Sequence, residues 1–181
     1  MVRIGIWCGH HAFLTVFAGF AAYSLGLYEL GMPFSACLFF LLLFPAWEDF
    51  RTGFISDTWS LLLGLCGLAT SFRAGRLTEG LASGALVFLI LGGLYLCFRQ
   101  GVGTGDLFLA SAAALWLTPL YGLLFLWFSS LAALLFLAVP LLRGERQLRE
   151  GIAFGPFLGA GAFLSYALLE TGFLPEGFPF Y

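Results

Sequence analysis

Lysine is absent from the 181 residues, and acidic and basic side chains together make up only 10% of them. Soluble domains carry about 25% charged residues, so there is too little polar surface here to clad a soluble core. What charge exists forms no basic patch. Eight arginines are spread against ten carboxylates for a net charge of −2, which offers no platform for nucleic acid. CxxC pairs are also missing. Cys8, Cys37, Cys66 and Cys97 each stand alone in an apolar run, which supports neither a zinc site nor a disulfide framework. The two histidines, His10 and His11, are adjacent and would point about 100° apart on a helix. No metal site and no cofactor is expected. The polar–apolar alternation of a membrane barrel strand is missing as well. No small-residue cleavage site follows a short apolar core at the N-terminus, so a retained helix is expected there and not a signal peptide.

What is present is apolar bulk and glycine. The chain is 61% hydrophobic, with 22 Phe and 24 Gly. That mixture suits helices packed in lipid, where small residues let backbones approach. A helix needs about 20 apolar residues to cross a bilayer. The apolar runs are Ile4–Tyr28, Met32–Trp47, Thr58–Phe72, Leu81–Phe98, Asp106–Thr118, Tyr121–Leu142 and Ile152–Leu169. Thr58–Phe72 and Asp106–Thr118 are short, and their ends are expected to extend into the flanking turns. The expected fold is an all-α polytopic membrane helical bundle in one integral membrane domain, 1–181. An extra N-terminal helix covers about 4–30, the core about 32–170, and an aromatic tail 171–181 lies at the membrane interface.

Arginine sets the orientation. With the turns numbered alternately, Arg3, Arg51, Arg99, Arg143, Arg146 and Arg149 share one side, and Arg73 and Arg76 the other. The positive-inside rule then puts the N-terminus in the cytoplasm. Asp49 and Asp106 fall on that same side, although the arginines played no part in singling them out.

Asp106 organises the chemistry. It is the only charged residue between Arg99 and Arg143, and it follows Gly101, Gly103 and Gly105. A carboxylate at the edge of lipid is expensive, and its default reading is functional. The matching polar break is Glu48-Asp49-Phe50-Arg51. Two carboxylates meeting where water is limited can share one proton and activate water against a peptide bond. Asp106 stands at a helix start and Asp49 at a helix end, and the helix dipole favours charge at the start. Plainer readings exist for each residue. Asp49 is also compatible with a solvated loop, Asp106 with a helix N-cap. Asp57, ahead of Thr58-Trp59, fits an N-cap better than a catalyst. Glu145 and Glu150, among Arg143, Arg146 and Arg149, read as a mixed-charge loop.

Three stretches together resemble the type IV prepilin peptidases, including the archaeal preflagellin peptidases. Asp49-Phe50-Arg51-Thr52-Gly53-Phe54-Ile55-Ser56-Asp57 is similar to that family's D-x-R-x-x-x-I-P-[DN]. Gly103-Thr104-Gly105-Asp106 is similar to its GxGD. Phe154-Gly155-Pro156-Phe157-Leu158-Gly159-Ala160-Gly161 is similar to its late FGPFL helix start. Ser56 departs from the pattern's proline, and Phe108 stands where many members have lysine. The resemblance spans about Phe39–Leu169. It implies a six-helix GxGD membrane aspartyl protease in its short form, without the methyltransferase domain, preceded by one extra helix.

By that resemblance Asp49 and Asp106 are the catalytic pair, supported by Gly103, Gly105, Arg51, Asp57, Gly155 and Pro156. The implied substrate is a pilin-like precursor with a short basic leader, cut at the cytoplasmic face of the cell membrane. Glu48, Asp57, Glu145 and Glu150 would attract the leader by charge. The competing readings are a proton-coupled transporter, in which the two aspartates carry protons, and a non-catalytic scaffold for pilus or secretion assembly.

Overall fold

The computed structural model describes residues 33–97, 103–142 and 153–172. The expected helix over Ile4–Tyr28, Gly101, the turn carrying Glu145 and Glu150, and nearly all of the tail lie outside the described residues. Among the described residues there are six helices and no strand. They are α1 Pro33–Thr52, α2 Asp57–Arg73, α3 Leu77–Cys97, α4 Thr104–Ala114, α5 Pro119–Leu142 and α6 Gly155–Glu170. Each of the six apolar runs after Tyr28 holds one of them.

The boundaries follow local chemistry. Gly53 ends α1 with φ +69° and donates its N–H to the Asp49 carbonyl at 2.8 Å. That is the left-handed glycine stop common at helix C-termini. The cap of α2 is Ser56, and Asp57 is the first helical residue and exposed, so Asp57 is not the N-cap that its position suggests. Pro156 lies in the first turn of α6, where its missing N–H leaves nothing unpaired.

Two helices, Leu77–Cys97 and the Pro119–Ala138 part of α5, are long and apolar enough to cross a membrane. Only 28% and 22% of these segments are buried against the rest of the molecule. The core helix of a soluble protein would be mostly covered. Here Leu89, Leu96, Leu134 and Leu135 point outward, and the fitting solvent for such a surface is lipid.

The middle of the bundle is α4. Its Leu107, Leu109, Ala110, Ala112, Ala113 and Ala114 are all buried, and it packs against α2, α3, α6 and, more lightly, α5. Close approach depends on glycine. A Cβ on Gly67 of α2 would stand 2.8 Å from the Trp116 ring. One on Gly161 of α6 would collide with Ser129 Oγ and lie 2.9 Å from the Phe125 carbonyl of α5.

The helix α4 differs from expectation. It does not extend beyond Asp106–Thr118 at its far end but stops at Ala114. Leu115, Trp116 and Leu117 then make tight turns onto the carbonyls of Ala112, Ala113 and Ala114. Tertiary bonds hold this break. Ser71 Oγ donates to the Leu115 carbonyl at 2.6 Å, and Trp116 Nε1 donates to the Leu63 carbonyl at 3.0 Å.

The two ends of the bundle are chemically distinct. At one end Arg76 pairs with Glu170 at 3.3 Å, and the Arg73 guanidinium lies 5.6 Å from the Phe34 ring centroid. At the other end the close of α1 meets the starts of α2, α4 and α6.

Candidate active site

Asp49 lies in the last turn of α1, with only 6% of its surface exposed. A buried carboxylate needs hydrogen-bond donors. The main-chain N–H of Gly155 supplies one, donating to Asp49 Oδ2 at 2.6 Å. Gly155 is the first residue of α6, so the Asp49 carboxylate sits on the N-terminus of a helix remote in sequence. The contact requires glycine, because a Cβ there would stand 2.8 Å from Asp49 Oδ2 and 2.9 Å from its Cβ.

Asp106 is the third residue of α4, half-buried, and its carboxylate accepts a hydrogen bond from the Gly103 N–H. The side chain reaches back to the N-cap amide, which is one half of a capping box. The N-cap is Gly103 and not Asp106. The helix-end contrast drawn from sequence holds within each residue's own helix, but the N-terminus of α6 also meets Asp49 and offsets it.

The three motifs meet here. Asp49 is close enough for its charge to act on the Asp106 carboxyl group. A Cβ on Gly105 would stand 3.1 Å from Ile55 Cβ, so the glycine before Asp106 packs on the turn that follows Asp49. The Asp49–Gly155 bond brings in the third stretch.

The remaining candidates have separate places. Arg51 is exposed and holds its guanidinium over Trp47, 5.8 Å from the ring centroid. Glu48 accepts the Ser56 N–H at 3.0 Å through Oε2. Phe108 is about half exposed, its ring 6.5 Å from that of Phe88 on α3. Glu145 and Glu150 lie outside the described residues. Ile55 was quoted in its motif, but sequence reasoning gave it no role of its own. Its signal was there, a lone β-branched side chain between a helix-stopping glycine and a new helix. Among the described residues no cluster of His, Cys, Asp and Glu is suited to a metal ion.

No curated protein matches this chain, and no solved structure does. The type IV leader peptidase family matches over residues 36–138. That range contains both aspartates, the glycines before Asp106 and the Ile55 turn, and it stops short of Phe154–Gly161. More than half of the sequence is covered, and the chain belongs to the type IV leader peptidase family.

Proposed function

We propose that this chain is a membrane aspartyl endopeptidase that removes the basic leader from pilin-like precursors. The observation that carries the reading is the convergence of Asp49 and Asp106 from separate motifs at one end of the bundle. A transporter site is usually placed near the bilayer midplane. These carboxylates lie at helix termini instead, which supports a site near a membrane border.

The reaction needs no group that the chain lacks. A water molecule between the carboxylates loses a proton to the charged aspartate, and its oxygen attacks the scissile carbonyl carbon. The protonated aspartate gives its proton to the carbonyl oxygen, forming a neutral gem-diol. Collapse of the diol breaks the C–N bond. The leaving nitrogen takes a proton from one carboxyl group, and a diol hydroxyl returns one to the other. The pair ends as it began, sharing one proton.

The substrate is the one that the family resemblance implies, and position and charge suit it. A leader in the cytoplasm and an apolar helix in the membrane would place the cut at the arginine-rich face. Asp57 is exposed at the start of α2 and offers negative charge to a basic leader, together with Glu145 and Glu150. Phe54, 80% exposed, and Phe108, about half exposed, offer apolar surface to the helical part of such a precursor.

The test is incubation of the purified protein in detergent or lipid with a leader-bearing pilin precursor. Loss of the leader mass by wild type, and its retention with Asp49→Ala and with Asp106→Ala, supports the reading. Intact precursor with folded wild type, across several such substrates, overturns it.

A further inference from the structure

Ser56 joins the turn to α2 with φ −70° and ψ 131°. Proline fixes φ near −65°, so Ser56 already has the backbone that a proline would impose. Ile55 before it lies outside any helix, as the residue preceding a proline favours. What serine has and proline lacks is an N–H, and that N–H is donated to Glu48 Oε2 at 3.0 Å.

The near side of the turn is tied by other bonds. Thr52 Oγ1 donates to the Glu48 carbonyl at 2.8 Å, and the Phe54 N–H donates to Thr52 Oγ1 at 3.2 Å. Gly53 donates to the Asp49 carbonyl. These fix residues 52–54 to the last turn of α1. The bond from Ser56 to Glu48 fixes the far side to the same turn. Ile55 lies between the two anchors, and its Cβ is the atom packed against Gly105, the neighbour of Asp106.

We infer that Glu48 is a positioning residue: its carboxylate holds the Ser56 main chain, keeps Ile55 seated on Gly105, and so holds Asp106 in place against Asp49. It does from outside the chain what a proline ring at position 56 would do from within. This role differs from attracting a basic leader, because the oxygen involved is already engaged with the main chain. The inference rests on the proposed peptidase activity only for its kinetic readout.

The experiment uses four variants of the full chain: Glu48→Ala, Glu48→Gln, Ser56→Pro and the Glu48→Ala/Ser56→Pro double. Precursor cleavage and amide hydrogen exchange over residues 53–57 are measured on each. Glu48→Ala removes a charge-assisted hydrogen bond, so kcat should fall about tenfold with KM within about twofold. Exchange over the turn should quicken. Glu48→Gln keeps an acceptor oxygen and loses the charge, so it should stay within about threefold of wild type. Ser56→Pro should be similarly mild, and in the Glu48→Ala background it should restore most of the lost kcat.

Unchanged exchange in Glu48→Ala overturns the inference. So does a rise in KM with kcat unaltered in Glu48→Gln, which would mean that the charge serves the leader. A double variant worse than Glu48→Ala also overturns it, as does a fall beyond tenfold from Ser56→Pro alone. Should wild type cleave no precursor, the proposed activity fails, and the exchange arm still decides the role of Glu48.

Discussion

The Gly155 N–H donates to Asp49 Oδ2 at 2.6 Å, joining residues 106 positions apart in the chain. The helix that follows residue 154 thus begins on the carboxylate that closes α1. A methyl group at 155 would meet Asp49 Oδ2, Cβ and Cγ at 2.8, 2.9 and 3.2 Å. Gly155→Ala should therefore displace the carboxylate. A misplacement near 1 Å can cost about 10²-fold in rate, and the expected loss in kcat for precursor cleavage is of that order. Overpacking of this kind costs about 1–3 kcal/mol, which a thermal melt in detergent would register.

Gly105→Ala should be milder. Its added Cβ meets a side-chain atom, Ile55 Cβ at 3.1 Å, and the Ile55 carbonyl only at 3.5 Å. A shift of a few tenths of an ångström in Ile55 relieves it. The expected ordering in cleavage rate is wild type, then Gly105→Ala, then Gly155→Ala. Trimming Ile55 to alanine should recover part of the Gly105→Ala loss, since the pair shares one contact.

Much of the candidate site stood out in the sequence because charge is conspicuous in an apolar chain. Asp106 is the only charged residue between Arg99 and Arg143, and Asp49 closes a long apolar run. The helices after Tyr28 were legible for the same reason. The end of α4 was not. Leu115-Trp116-Leu117 continues the apolar pattern, and the helix stops there because Ser71 and Trp116 make hydrogen bonds to other helices. Those are tertiary facts with no local signature. The hydrogen bonds of Glu48 and Gly155 were hidden similarly. A glutamate beside an aspartate gives no sign that its oxygen holds a main-chain amide eight residues on.

Packing at the α5–α6 interface can be separated from chemistry by a pair of glycine substitutions. Gly161→Ala drives a methyl group into Ser129 and the Phe125 carbonyl, whereas nothing lies within 4 Å of a Cβ at Gly93. The first should destabilise by about 1–3 kcal/mol. The second should leave stability unchanged or raise it by up to about 1 kcal/mol, since alanine suits a helix better than glycine. Melting temperatures of the two variants check this, with the Gly161→Ala midpoint lower.

The dependence of cleavage on pH should be bell-shaped. Below the lower apparent pKa both carboxyl groups are protonated, and no base remains. Above the upper one both are charged, and no acid remains. Replacing either aspartate should remove cleavage at every pH rather than shift the bell. The profile of kcat/KM on a fixed precursor reads this directly.

In the proposed reaction the two carboxylates work as one unit. The most direct test compares cleavage rates for Asp49→Asn, Asp106→Asn and the double variant, each checked for native folding. Groups that act together lose nearly everything at the first substitution. The double variant is expected to be no slower than either single. Wild-type activity in either single variant, or losses that multiply in the double, would contradict it.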